Sequence, residues 1–168
     1  MKKDSNVLNK ITYHLAEADK LARKANLGDI FSYSRVKEVL IAEQLGHSIN
    51  TEYSGADGFD KSNRPCEYKS TVGRRIQATY NGISVQPTWE EQENYLRNKK
   101  IGKYPFHYYA RFEGTTIAEL WKLKAEDVLT ILLPKLKKSY ETTLSRKDPR
   151  LGYTIPTSQI RKYGERLI

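Results

Sequence analysis

A chain of 168 residues with 29 Lys and Arg against 20 Asp and Glu carries a formal charge of +9, and its length suits one domain with its own core rather than two. The excess positive charge favours a polyanionic partner, nucleic acid first. There is no apolar run near the ~20 residues that span a bilayer and no signal-peptide pattern at the start, which argues against a membrane and for a cytoplasmic location, and the single cysteine, Cys66, argues against an internal disulfide framework or a Cys-rich zinc site.

Over residues 5–26 the apolar positions Val7, Leu8, Ile11, Leu15, Ala18, Leu21, Ala22 and Ala25 recur every three or four residues, which predicts an amphipathic helix. A second helix is expected over residues 35–45, with Val36, Val39, Leu40 and Ala42 inward and Gly46 as its stop. Residues 49–53 read as a strand. A further strand approaches Asp57, and the turn Ser62-Asn63-Arg64-Pro65 delivers the chain into a strand over residues 66–72. The stretch after Gly73 to Gln86 has no convincing period and is expected to be loop, with a tight turn at Asn81-Gly82. Thr88 and Glu91 fit a capping box for a helix running to about Lys100, before Gly102. Residues 106–112 and 116–123 alternate around Glu113-Gly114 and predict two paired strands. Residues 127–140 read as a helix that Pro134 should kink or interrupt. A short strand near residues 153–155 follows a basic turn, and Thr157 is placed to cap a last helical turn ending at Gly164. The order predicts an α/β fold, a mixed central β-sheet flanked by helices in a single domain.

Asp57 precedes Glu67-Tyr68-Lys69 by ten residues. Along an extended strand Glu67 and Lys69 project to one side, and Cys66, Tyr68 and Ser70 to the other, the core side, where Cys66 reads as a structural thiol. If the turn returns Asp57 beside Glu67, the pair forms an oxygen-rich site suited to Mg²⁺ with an ammonium next to it, at one edge of a rigid scaffold. Metal-assisted phosphodiester hydrolysis needs these parts: charge neutralisation at the phosphorane, a water of lowered pKa, and a cation to orient it. Glu-x-Lys also occurs as a solvated charge pair, and Gly55-Ala56-Asp57-Gly58 as a plain turn. The spacing, the intervening turn and the basic chain favour the catalytic reading. His14, His47 and His107 lack metal-ligand spacing and read as structural or surface residues, with His107 also a candidate DNA contact.

The runs Gly55-Ala56-Asp57-Gly58-Phe59-Asp60 and Cys66-Glu67-Tyr68-Lys69-Ser70 resemble the PD-(D/E)XK nuclease superfamily, and within it the PvuII-like type II restriction endonucleases. The likeness continues, in the same order, through Gly28-Asp29-Ile30-Phe31, Ile117-Ala118-Glu119-Leu120-Trp121, Ile155-Pro156 and Tyr163-Gly164. The resemblance implies a restriction-endonuclease-like fold and Mg²⁺ held by Asp57, Glu67 and the backbone carbonyl of Tyr68, with Lys69 serving the attacking water. It implies a homodimer that encloses double-stranded DNA and cuts each strand once, leaving 5′-phosphates; whether a cognate DNA methyltransferase accompanies it in the host depends on genome context. The N-terminal helices would dimerise, residues 47–128 form the catalytic core and residues 139–168 contact DNA. Where that family carries a histidine cluster for base recognition, this chain has Gln77-Ala78-Thr79-Tyr80-Asn81-Gly82, which implies a different target sequence. Its asparagine pair before a proline has Asp148-Pro149-Arg150 as the nearest counterpart. Tyr95 and Tyr104 are both candidates for its tyrosine near the metal. Ser54 offers no carboxylate, although Glu52 is close by.

Duplex DNA asks for cations at phosphates and for amides or guanidinium groups at base edges. Arg74, Arg75, Gln77, Asn81 and Gln86 supply both just past the catalytic strand and form the candidate recognition loop, the alternative being a solvated polar loop. Arg146, Lys147 and Arg150, with Arg161 and Lys162 behind them, are candidate phosphate contacts. Lys135, Lys137 and Lys138, like Arg97, Lys99 and Lys100, read as solubility charges. Cutting a palindrome asks for a two-fold partner, with the first helix as the interface or, alternatively, packed against the sheet. Competing readings are a Holliday-junction resolvase, a nicking or repair nuclease that does not read sequence, and a basic DNA-binding module in which Glu67 and Lys69 are a surface pair. The basic C-terminal extension argues against the first, product pattern separates the second, and the absence of a helix-turn-helix, zinc or RNP signature counts against the third.

Overall fold

The computed structural model describes residues 5–52 and 54–168. Helices α1 (Ser5–Lys24) and α2 (Arg35–Leu45) come first. Gly46 stops α2 in the left-handed region at φ 63, its N–H closing on the Ala42 and Glu43 carbonyls. Ala42 of α2 is buried as expected, but Val36 is exposed and Ile41 enters the core. Arg35 is buried because it is paid back in hydrogen bonds, to the Leu27 and Asn50 carbonyls and to Glu38.

Short strands β1 (Ser48–Ile49) and β2 (Gly58–Phe59) lead into β3 (Pro65–Thr71). The strand expected up to residue 53 is thus confined to two residues, and Tyr53 itself lies outside the described residues. Next come β4 (Ala78–Ser84), α3 (Trp89–Tyr95) with a π-helical turn over Leu96–Lys100, β5 (Phe106–Glu113) and β6 (Thr116–Lys124). Thr88 and Glu91 make the expected capping box at the start of α3. The chain closes with α4 (Ala125–Leu144), β7 (Arg150–Ile155), α5 (Thr157–Tyr163) and β8 (Glu165–Arg166). Helix α4 runs unbroken through Pro134, since Leu129 and Leu132 before it and Leu136 and Tyr140 after it are all buried, offsetting the ~3 kcal/mol that an interior proline costs. Thr157 does not cap α5. Pro156 holds the N-cap position, and the Thr157 hydroxyl donates to the Ile76 carbonyl at 2.6 Å.

The fold is α/β: a six-stranded mixed sheet in the order β1-β2-β3-β5-β6-β8, with β3 and β5 parallel and the other pairs antiparallel. Strand β3 is therefore interior, not at a sheet edge, because α3 carries the chain across to lay β5 beside it. Both faces of β5 are covered, so Tyr108, Ala110 and Phe112 are buried on one side and His107 and Tyr109 on the other. One core lies between α2 and the Cys66, Tyr68, Tyr108 face, and a larger one lies under α4 and α5.

The segment expected to be loop forms half of a separate antiparallel ribbon, β4 with β7. Its Asn81-Gly82 pair is a bulge inside β4, where the register shifts between Tyr80 and Ile83 and Gly82 takes φ 62. Ala78, Tyr80 and Ile83 point into the core while Thr79 and Asn81 face outward.

Candidate active site

Asp57 precedes β2 and is fastened to β3 twice. Its N–H donates to the Cys66 carbonyl at 3.0 Å, and its Oδ2 accepts the Tyr68 N–H at 2.6 Å. The expected return of Asp57 beside β3 is therefore observed. Gly58 permits it, since a side chain there would strike the Tyr68 hydroxyl and, at 2.8 Å, the Ser48 carbonyl. Glu67 and Lys69 project from β3 on the other side from buried Cys66 and Tyr68, and they form an ion pair with each other. Asp57, Glu67 and Lys69 line one cavity of about 430 Å³.

Burial, and secondarily the negative charge of Glu67, push the Asp57 carboxyl from 3.8 up to about 7, against the opposing pull of the Tyr68 N–H and Lys69. Glu38 on α2 adds a smaller push in the same direction. Two carboxylates thus share a cavity in which the Lys69 ammonium is committed to one of them. Among Asp57, Glu67 and Lys69 alone this leaves one negative charge unbalanced, which a hard divalent cation bound between the two acids would relieve. Among the described residues no group of three or more His, Cys, Asp or Glu is placed to hold a metal. The donor set that fits is two carboxylates, Asp57 and Glu67, completed by the Tyr68 carbonyl, which leaves the strand on the same edge as the N–H bound to Asp57.

Below the site lies a buried polar chain. The His107 ring accepts from the Tyr80 hydroxyl at Nδ1 (2.8 Å) and donates from Nε2 to the Ile101 carbonyl (3.1 Å), while the Tyr80 and Tyr109 hydroxyls meet at 2.9 Å. Since a carbonyl can only accept, the neutral Nε2–H tautomer is the one this arrangement selects. Burial lowers His107 to about 4. His107 is fully buried and therefore not a DNA contact, which corrects that expectation. The Tyr80 ring lies 5.4 Å from Lys69 Nζ, so this chain also supports the lysine.

Of the two tyrosines left open, both line the cavity, and Tyr104 binds the loop before Asp57 through a 2.6 Å bond from its hydroxyl to the Gly55 carbonyl. Ser54 and Glu52 lie with Asp57 around a neighbouring cavity.

The DNA-contact candidates fall into three places. Asn81 reaches the Asp57–Glu67 cavity, beside Thr79. Arg74, Arg75 and Gln77 meet Thr157, Ser158 and Arg161 around a cavity of about 630 Å³ at one end of the ribbon. Arg161 is also held by buried Glu119 at 3.3 Å. At the other end Arg146 and Lys147 are exposed, whereas Arg150 is held by Asp148 (3.1 Å) and the Ser84 hydroxyl (2.8 Å). Gln86 is half-buried, its backbone tied to Gln92 and Tyr140 and its side-chain amide turned to the Ser84 carbonyl at 3.4 Å, apart from the other candidates.

Lys99 and Lys100, expected to be solubility charges, instead line the Asp57–Glu67 cavity with Lys103. A regular helical period hid them, because the π turn shifts their direction. Comparison of the chain with protein-family models gives no match, and comparison with curated proteins gives none.

Proposed function

We propose that this protein is a Mg²⁺-dependent endonuclease of the PD-(D/E)XK type, acting on double-stranded DNA at defined sites as a type II restriction enzyme does. The observation that carries the reading is the meeting of Asp57, Glu67 and Lys69 in one cavity, with Asp57 raised to about 7 by burial and by Glu67. Asp57, Glu67 and the Tyr68 carbonyl would hold the ion. Bound there, Mg²⁺ would neutralise charge on the reacting phosphate and lower the pKa of an attacking water. Lys69 orients that water and donates to the developing negative charge, while Glu67 and the Tyr80 ring fix its position. Tyr104 holds the Gly55 loop, and with it Asp57, in place.

The β4–β7 ribbon supports duplex DNA as the substrate, since a two-stranded ribbon fits the major groove. Its outward face carries Thr79 and Thr154, with hydroxyls 3.0 Å apart, and Asn81 at the mouth of the catalytic cavity. Basic residues stand at both ends of the ribbon, suited to phosphates. A homodimer would place two such sites on a palindrome, one per strand, with α1 as the interface. That helix exposes Val7, Leu8, Ile11, Leu15 and Leu21, each at least 45% accessible, and among the described residues buries only Ala22. Incubating the protein with several plasmid and phage DNAs, with Mg²⁺ or with EDTA, tests the reading. Discrete Mg²⁺-dependent fragments with 5′-phosphate ends are expected, and uncut DNA under all conditions would overturn it.

A further inference from the structure

We infer that Lys99, Lys100 and Lys103 form a phosphate-gripping wall across the cavity from the acid pair, holding the DNA backbone beside the phosphate that reacts. The inference rests on the nuclease reading and adds to it a positioning element with no role in the chemical step.

Three observations carry it. The cavity is lined by two carboxylates, Asp57 and Glu67, and four lysines, Lys69, Lys99, Lys100 and Lys103, so its walls are net positive even with both acids ionised. A site built only for a cation would not carry this excess, whereas a metal-assisted site for a polyanion needs both signs. At about 430 Å³ it also falls within the ~300–1,000 Å³ that accommodates a whole ligand.

The second observation is that these lysines are uncommitted while their neighbour is not. Arg97, on the same turn, is paired with Glu93 at 2.7 Å. Among the described residues Lys99, Lys100 and Lys103 have no ion pair. Lys103 only crosses the Tyr104 ring, at 5.4 Å.

The third is that the backbone bearing them is fixed. The π turn is closed by the Ile101 N–H on the Leu96 carbonyl at 2.8 Å and by the Gly102 N–H on the same carbonyl at 3.1 Å. Ile101 is buried, its carbonyl held by His107 and its side chain in the core, and Tyr104 locks the following turn to Gly55. Gly102 leaves no room for a Cβ against the Arg97 carbonyl. A turn held at both ends presents the lysines to the cavity from a rigid base, with only the flexible stems left to order when a phosphate arrives.

The test compares wild type, Lys99→Gln/Lys100→Gln/Lys103→Gln, and a charge-matched control on exposed α4, Lys135→Gln/Lys137→Gln/Lys138→Gln. Binding to a fluorescein-labelled 20-base-pair duplex is measured by anisotropy in EDTA over a salt series, and cleavage of plasmid DNA is measured with Mg²⁺. Each phosphate contact adds about 0.9 to the slope of log affinity against log salt. The wall variant should lose about 2–3 from that slope and at least tenfold in affinity at low salt, with KM raised and kcat within about threefold, while the control loses less than 1 from the slope. Equal losses in the two variants would overturn the inference and leave the nuclease reading standing, since only net charge would then matter. A fall in kcat without a rise in KM would also overturn it. A wild type that neither binds nor cuts duplex DNA would overturn both.

Discussion

Replacing Asp57 by asparagine should stabilise the protein at alkaline pH while abolishing its activity. In the folded chain burial and the Glu67 charge hold the Asp57 carboxyl at about 7, against 3.8 ordinarily. The folded state therefore keeps this proton more tightly than the unfolded state does. The group's contribution to stability is complete below pH 4 and is lost as the pH rises through 7. The gap corresponds to a ceiling of about 4 kcal/mol, and screening at the cavity mouth reduces the expected effect to about 2 kcal/mol. Asparagine preserves volume and offers an acceptor to the Tyr68 N–H now bound at 2.6 Å, so charge is the main thing removed. Urea unfolding in EDTA at pH 5 and pH 8.5 reads the result. The variant should gain about 2 kcal/mol at pH 8.5 and about a third of that at pH 5, with unchanged m. Added Mg²⁺ should narrow the difference by stabilising wild type, by about 2.7 kcal/mol at a hundredfold excess over Kd. A gain that does not grow with pH, or a variant less stable at both values, would refute the reasoning.

His107, held near 4 instead of 6.5, has the opposite sign: its contribution is complete above pH 6.5 and is lost as the pH falls through 4, about 3 kcal/mol at most. Unfolding midpoints followed from pH 7 to pH 4 in the Asp57→Asn background should show this acid loss, and His107→Gln should flatten it. Gly58→Ala must displace the Tyr68 hydroxyl or the Ser48 carbonyl, so it should cost about 2–3 kcal/mol and lower cleavage by moving Asp57, both measurable on the purified variant. Light scattering should give a mass twice the 19.4 kDa chain, reduced to one chain by Leu8→Asp with Ile11→Asp. A wild-type monomer at micromolar concentration would refute the α1 interface.

Local signals in the sequence were the legible ones. The Thr88 and Glu91 cap, the stop at Gly46 and the β5–β6 hairpin all rest on residues within a few positions of one another. The meeting of Asp57 with β3 was legible for the same reason, being a return over a short turn. Strand β4 was not, because its partner β7 lies some seventy residues on and its bulge at Gly82 breaks the alternation that would mark it. The lysine wall was hidden because a π turn rotates Lys99 and Lys100 away from the direction a 3.6-residue period assigns them. His107 looked like a possible surface residue because β5 alternates as a half-buried strand would. Only the ribbon and Tyr80 packed over it show why both of its faces are covered. Arg150 and Arg161, by contrast, were read as phosphate contacts and already have acidic partners, Asp148 and Glu119, one near in sequence and one brought in by the fold.

The central claim is that Asp57, Glu67 and Lys69 form one metal-dependent hydrolytic site. The most direct measurement is cleavage of supercoiled plasmid and linear phage DNA by wild type, Asp57→Ala and Lys69→Ala, each with Mg²⁺ and with EDTA, alongside circular dichroism to establish that all three are folded. Mg²⁺-dependent cleavage by wild type, and its loss in both folded variants, is the predicted result. Activity retained in either folded variant, or cleavage indifferent to EDTA, would contradict the account.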